Sequence, residues 1–324
     1  GRPYWEVPVM VQRLCGICPV SHHLAASKAL DVIVGAKKLT PAAEKLRRLM
    51  HYGQMLQSHA LHFFHLASPD LLFGFDSEVT QRNMVGVALA YPEIARQGIL
   101  LRKFGQEIIR ITSGKRVHGT GSVPGGVNKL LTVEERDGLK RDLSQMVQWA
   151  EDALELVQRL HAQNPLLYRN FGSFRSNLMS LVRADGGLHF IDGVLRVRDA
   201  DGNLLFDGVS DQRYLDLIEE EVRPWSYMKF PYLTQLGPEA GWYRVGPLAR
   251  VQNCDTIPTA WAELERQELM AYAAHSGGGL MHASLGYHWA RMIEMLFAAE
   301  ASRASLVEHE PERSDLLVSG EGQR

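Results

Sequence analysis

The sequence predicts a mainly α protein with a minor antiparallel β part (α+β). Three observations predict it. Apolar residues recur at helical spacing over most of the chain, and start and stop signals bracket those stretches. One short segment, around Asp192-Gly193 and Asp201-Gly202, carries hairpin-turn dipeptides between apolar runs.

Pro19 opens the run SHHLAASKALDVIVGAKK, which reads as a helix over 21–37. Thr40 is an N-cap followed by Pro41, whose missing N–H costs nothing at the first helical position. Leu46, Leu49, Met50, Leu56 and Phe64 then keep helical spacing to residue 67. A third helix runs over 92–112 and is stopped by Gly114. Thr132-Val133-Glu134-Glu135 is a capping box, in which Thr132 and Glu135 satisfy each other's backbone N–H groups, and it opens a helix to His161. The β part is a meander over 188–209. A short helix over 211–221 follows, then an irregular stretch over 224–253 rich in Pro, Gly and aromatic residues. Helices over 259–274 and 282–306, joined by Gly277-Gly278-Gly279, close the pattern before a polar tail over 308–324. No repeat or composition shift divides the chain, so one core over 1–324 is expected.

The chain has 324 residues, with 35 Lys+Arg against 37 Asp+Glu and a formal charge of −2. That balance argues against a dedicated nucleic-acid binder, which needs a local excess of Lys and Arg to neutralise phosphates. No apolar run reaches the ~18–20 residues that span a bilayer, and no signal-peptide pattern opens the chain. The three cysteines, Cys15, Cys18 and Cys254, make an odd count with one close pair. This is unlike a secreted disulfide framework and fits a reducing, cytoplasmic compartment. The chain begins at Gly1 and runs at once into dense sequence, so an internal piece of a longer protein, cut at both ends, is expected.

The sharpest local feature is Arg13-Leu14-Cys15-Gly16-Ile17-Cys18-Pro19-Val20-Ser21-His22-His23. Two thiols three residues apart on a tight turn at a helix start can point at one spot. The helix dipole and Arg13 both favour thiolates there. Four readings compete. The cysteines are unliganded, or a structural zinc site recruits His22 or His23 and a remote histidine. Otherwise they form a redox dithiol, or they hold a catalytic transition metal completed by ligands elsewhere. A redox dithiol of thioredoxin type needs a βαβ context that is missing here.

RLCGICPVSHH resembles the N-terminal metal-binding signature of nickel–iron hydrogenase large subunits. GKRVHGTGSVPGGVNK, WSYMKFPYL, RVGPLARVQNCD and YHWARMIEMLFAAE resemble the cytoplasmic NAD-reducing (bidirectional) branch, in the family's order. The resemblance implies a mainly helical large subunit that splits or forms dihydrogen at a Ni-Fe centre whose iron carries carbon monoxide and cyanide. Cys15 would be a terminal nickel ligand and Cys18 would bridge nickel and iron. His22 would donate a hydrogen bond to the bridging thiolate, and Arg13 would add positive charge beside the pair.

The family's second Cys-x-x-Cys, an upstream proton-relaying acid and a downstream Pro-Arg-Gly segment have no match in this chain, so the site is expected to be completed by ligands outside it. Neither a cysteine set for an iron–sulfur cluster nor a pyridine-nucleotide fingerprint is present in the sequence. The resemblance therefore supplies a small hydrogenase subunit carrying the Fe-S cluster and flavin-containing NAD-reducing subunits as partners. Deazaflavin- or quinone-linked relatives are the alternative within the family. Outside it, the alternative is a non-catalytic or zinc-binding structural subunit of a redox complex, related to the complex I quinone-site subunit.

Other residues have blander readings. His59, His62 and His65 recur along the second helix and are expected to pack around the cysteine loop rather than bind metal. Ser58 stands where related hydrogenases can carry an acid near the metal. His118 either supports the metal ligands from behind or is merely structural; its Gly-rich loop is no phosphate cradle, since it lacks the Gly-Lys-Ser/Thr ending and a preceding strand. Cys254 reads as a small buried hydrophobe.

Overall fold

In the computed structural model of the chain, residues 1–36, 38–275, 279–307 and 317 are described. The expected helix end at Lys37, the Gly277-Gly278 part of the linker and the polar tail other than Leu317 lie outside these residues.

The N-terminal stretch holds α1 (Val7–Val11) between two turns of 3-10 helix, Tyr4–Glu6 and Gln12–Leu14. The helix α2 (Pro19–Ile33) starts two residues earlier than its apolar spacing suggests, because Pro19 itself takes the first helical position. The helix α3 (Pro41–Leu61) is capped as predicted, with Thr40 Oγ1 accepting from the Ala43 N–H at 3.1 Å.

The α-helical period was expected to hold to residue 67, but it breaks into a π-helical turn at His62–Ala67, followed by α4 (Ser68–Phe73). An unpredicted helix, α5 (Met84–Ala90), owes its start to Asn83, whose Oδ1 accepts from the Val85 and Gly86 N–H groups. The helix α6 (Pro92–Ser113) ends at Gly114 in the left-handed conformation, φ +86°. A small hairpin of β1 (Ser122–Val123) and β2 (Gly126–Val127) leads to α7 (Val133–Gln163). The capping box forms as read, with Thr132 N donating to Glu135 at 3.1 Å and Glu135 N to Thr132 Oγ1 at 3.2 Å.

After α8 (Pro165–Asn170) come β3 (Asn177–Val182), β4 (Val194–Arg198) and β5 (Leu204–Ser210). The helix expected over 211–221 is only a 3-10 turn, Asp211–Asp216. Its second half is instead β6 (Ile218–Val222), paired antiparallel with β7 (Lys229–Leu233) inside the stretch read as irregular. Glu219, Glu220 and Glu221 read as helix formers locally. Their partners across the hairpin decide otherwise: Tyr232 donates to Glu219 at 2.7 Å, and Lys229 lies 2.9 Å from Glu220. The chain continues through α9 (Gly237–Ala240), β8 (Tyr243–Arg244), α10 (Pro247–Asn253), α11 (Ala260–His275) and α12 (Gly286–Val307).

Two compact units are present, Gly1–Ala153 with the described residues from Ala298 onward, and Leu154–Phe297. In the first, α3 and α6 cross closely because glycines face each other there. A Cβ on Gly105 would lie 2.5 Å from the Gln57 nitrogen and 2.6 Å from the Gly53 oxygen. Met50, Leu56, Phe63, Leu101 and Ile108 are buried around this crossing.

An ion pair inside the same unit ties three elements together. Arg47 on α3, 2% exposed, donates to both oxygens of Asp31 on α2, at 2.6 and 3.2 Å. It also donates to the Val123 and Gly126 carbonyls of the hairpin. The Gly125 N–H returns a bond to Asp31 Oδ1 at 2.7 Å.

The second unit is built on a four-stranded sheet of order β5-β4-β3-β8. The predicted meander supplies β4 and β5. The inner strand β3 lies before it, and the short β8 pairs in parallel with β3. One face packs Met179 and Val197 against Leu233, and Leu178 packs with Ala249 and Leu280. Two arginines stitch the unit: Arg196 binds both oxygens of Asp207 and reaches Asp255, while Arg250 grips the fully buried Glu294 at 2.5 and 2.7 Å.

Replacing Arg47 by Met leaves Asp31 buried and unpaired, which is expected to cost about 3–5 kcal/mol in urea unfolding. The double variant Asp31→Leu/Arg47→Met is expected to lose much less. A second expectation concerns His161, buried among the rings of Tyr168, Tyr272 and Trp289 at 4.2, 6.0 and 5.2 Å. Burial pulls its imidazole down from 6.5 to about 4. Between these values the unfolded chain binds the proton that the folded one refuses, so stability is full above pH 6.5 and falls as pH drops towards 4. The size is at most roughly 3 kcal/mol. His161→Phe is expected to flatten that part of the stability–pH curve.

Candidate metal centre

The 3-10 turn Gln12–Leu14 delivers the chain to Cys15, which is extended at φ −142° and ψ +131°. The chain then turns through Gly16 and Ile17 to Cys18, the residue before the first turn of α2. Gly16 is not required by crowding, since a Cβ there meets nothing within 4 Å. The turn brings one ligand atom each of Cys15, Cys18 and His22 within 4.8 Å of one another. All three residues are half-buried. Among the described residues this is the single group of three or more His, Cys, Asp or Glu side chains with metal-binding spacing.

The two thiols are not equivalent. The Cys18 N–H donates to the Cys15 sulfur at 3.3 Å. The Cys15 thiol is held below its ordinary value, first by a hydrogen bond from the Cys18 side chain and then by the backbone amides of Cys18 and Ile17. Burial and the neighbouring Cys15 push Cys18 up to about 11. The sequence suggested two thiolates favoured alike by the helix start and Arg13. The loop instead separates the two thiols, Cys15 lowered and Cys18 raised, because a negative charge on one sulfur disfavours a second beside it.

Side chains from α3 hold the loop from beneath. Gln54 Nε2 donates to the Ile17 carbonyl at 2.9 Å, and Gln57 Nε2 donates to the same oxygen. Both glutamines are buried. Ser21, one turn into α2, shares a 3.1 Å hydrogen bond with His51 Nε2. His23 is buried and its Nδ1 donates to the Pro8 carbonyl at 3.2 Å, so the second histidine of the motif secures α1 while His22 faces the sulfurs. The glutamines escaped sequence reasoning. Their i,i+3 spacing on α3 put them on one face, but nothing local marked that face as the one meeting the cysteine loop.

The remaining residues singled out from the sequence fall in different places. Arg13 is exposed on the 3-10 turn before Cys15. Its charge acts on His118, whose imidazole is lowered first by burial and then by Arg13. His118 has a left-handed backbone, φ +56°, and the glycines after it serve close approach: a Cβ on Gly121 would lie 2.2 Å from the Thr112 carbonyl. His59 is buried, while His62 and His65 fall in the π-helical turn, and the three form no metal-binding group among the described residues. Burial lowers the His65 imidazole. Ser58 is half-buried on α3 next to Gln57. Cys254 is 2% exposed at the end of α10, its thiol donates to the Val251 carbonyl at 3.4 Å, and burial pushes it up to about 12.

The two sulfurs are soft donors suited to a transition metal, and the imidazole beside them can hydrogen-bond to a ligating sulfur. The residues present therefore fit part of a thiolate-bound nickel–iron centre. The loop and the helices that carry it define a mainly helical protein with a candidate thiolate metal site.

Comparison with known proteins gives this class its family. Residues 1–73 match the family described as nickel-dependent hydrogenase. The chain is 41% identical to the NAD-reducing hydrogenase HoxS subunit beta of Cupriavidus necator, over 98% of this chain and 66% of that protein. It is also 41% identical to a subunit of the vhu F420-non-reducing hydrogenase of Methanocaldococcus jannaschii, over 99% of this chain and 75% of that protein. A crystal structure of an NAD+-reducing [NiFe]-hydrogenase in the H2-reduced state superposes with a TM-score of 0.96 at 53% identity, over 100% of this chain and 71% of that one. The chain belongs to the nickel–iron hydrogenase large-subunit family. It spans about two thirds to three quarters of the length of these relatives.

The burial pattern sets an expectation for chemical labelling. With the native chain stripped of metal, iodoacetamide is expected to modify Cys15 first, Cys18 more slowly, and to spare Cys254 until denaturant is added, as read by peptide mass spectrometry.

Proposed function

We propose that this chain is the catalytic large subunit of a hydrogenase that cleaves or forms dihydrogen heterolytically and passes electrons to an iron–sulfur partner subunit. The observation that carries the reading is the convergence of Cys15, Cys18 and His22 within 4.8 Å, in a chain 53% identical to an NAD+-reducing [NiFe]-hydrogenase. When bound, the nickel–iron pair supplies a Lewis acid that polarises dihydrogen and accepts the electrons released as it becomes two protons.

The chain's own residues hold and tune that group. Cys15 would hold nickel through its thiolate, and Cys18 would hold nickel and iron through its own. Because burial and Cys15 raise the Cys18 thiol, holding a metal there would require it to give up a proton, so loading would weaken in acid. His22 would donate a hydrogen bond to the Cys18 sulfur and draw electron density from it. Arg13, exposed beside the loop, adds positive charge at its solvent side. The two cysteines supply part of the ligand set, and 1–324 acts as one large-subunit core.

The partner reading rests on the relatives, which are named as subunits, and on the absence of a cysteine set for an iron–sulfur cluster in this sequence. Electrons then pass to a small Fe-S subunit and on to flavin-containing subunits that reduce NAD. No helix among the described residues is long and apolar enough to cross a membrane. We place the complex in the cytoplasm.

The test is metal analysis and hydrogen-dependent dye reduction on the purified full-length protein. Nickel and iron with hydrogen uptake support the reading, while stoichiometric zinc without uptake sinks it. Cys18→Ser is expected to abolish metal assembly and activity, because a poorly ionised hydroxyl cannot bridge two metals. His22→Ala is expected to keep the metals and lower turnover.

A further inference from the structure

We infer that Gln54 and Gln57 are positioning residues that set the donor strength of the Cys15 sulfur through the Ile17–Cys18 peptide group. The inference rests on the reading of Cys15 as a metal ligand.

The two glutamines donate to one acceptor, the Ile17 carbonyl oxygen, and so engage both of its lone pairs. That carbonyl and the Cys18 N–H belong to the same peptide unit, and the Cys18 N–H points at the Cys15 sulfur, 3.3 Å away. Hydrogen bonds in series polarise one another, the more so where water is excluded. Gln54 is 1% and Gln57 4% exposed, so solvent does not compete for the two donor amides. Pulling electron density towards the Ile17 oxygen makes the Cys18 N–H a stronger donor to sulfur. A sulfur that accepts a stronger hydrogen bond gives less charge to its metal, and hydrogen bonds to ligating sulfurs are among the factors that set a centre's potential.

The geometry is held from behind. Gly105 of α6 leaves no room above the Gln57 backbone, since a Cβ there would lie 2.5 Å from the Gln57 nitrogen. The helix carrying both amides is thereby fixed against α6 at Gln57. Ile17 itself turns its side chain outward, 41% exposed, while its carbonyl faces the helix.

The experiment uses the full-length protein with its partner subunits and the variants Gln54→Met, Gln57→Met and both together. Met keeps the side-chain length and removes the donor. In sites that retain nickel, the midpoint potential followed by electron paramagnetic resonance is expected to move negative, further in the double variant than in either single one. A wild-type potential in the loaded sites of the double variant overturns the inference. A metal-free arm guards against variants that fail to load: in the full-length chain, exchange of the Cys18 amide hydrogen is expected to speed up about tenfold in the double variant. Unchanged exchange there also overturns the inference. A wild-type protein without nickel overturns the metal reading instead, and is told apart because the exchange difference at Cys18 persists.

Discussion

The pair formed by Asp31 and Arg47 sits where α2, α3 and the β1–β2 hairpin meet, and the cysteine loop depends on it. Taking two charges out of water costs several kcal/mol per ion, a cost that is offset only when geometry and additional hydrogen bonds are good. Here they are: the guanidinium also finds the Val123 and Gly126 carbonyls, and the carboxylate also finds the Gly125 amide. The pair fixes the direction of α2 against α3. Cys18 stands at the start of α2, and the glutamines that hold Ile17 stand on α3, so the same pair governs the approach of the sulfurs to their support.

The thiol pair draws on this rigidity. Two sulfurs on a loose loop would separate to relieve repulsion between thiolates. On a loop tied at Ile17 and at the helix start they stay together, and Cys18 holds its proton more tightly than Cys15. The unequal thiols are thus a product of the fold as much as of the Cys-x-x-Cys spacing.

How much of this was legible beforehand follows the range of the interactions. Features set within a few residues were readable: the Thr40 and Thr132 caps, the stop at Gly114, the turn at Asp201-Gly202 and the closeness of Cys15, Cys18 and His22 in the RLCGICPVSHH motif. Features set by distant partners were not. Asp31 reads as an ordinary polar residue of a helix until Arg47 and the hairpin surround it. The strand β3 lies outside the meander that pairs with it, and the acidic strand β6 reads as helix until β7 covers one edge. Gln54 and Gln57 matter because the Ile17 carbonyl of the cysteine loop lies against them. Their own neighbours in sequence carry no sign of it.

The π-helical turn at His62–Ala67 has a consequence for comparing this chain with its relatives. A π turn accommodates about one residue more than an α turn, and each α-helical residue advances by about 100° around the axis. Side chains beyond Ala67 are therefore rotated by roughly that angle from where an unbroken helix would aim them. A helical wheel drawn straight through HALHFFHLASPDLL assigns the wrong faces to Asp70, Leu71 and Leu72. Against a helix without such a turn, an alignment that forbids a one-residue offset in this stretch pairs residues that point in different directions, however similar the letters look.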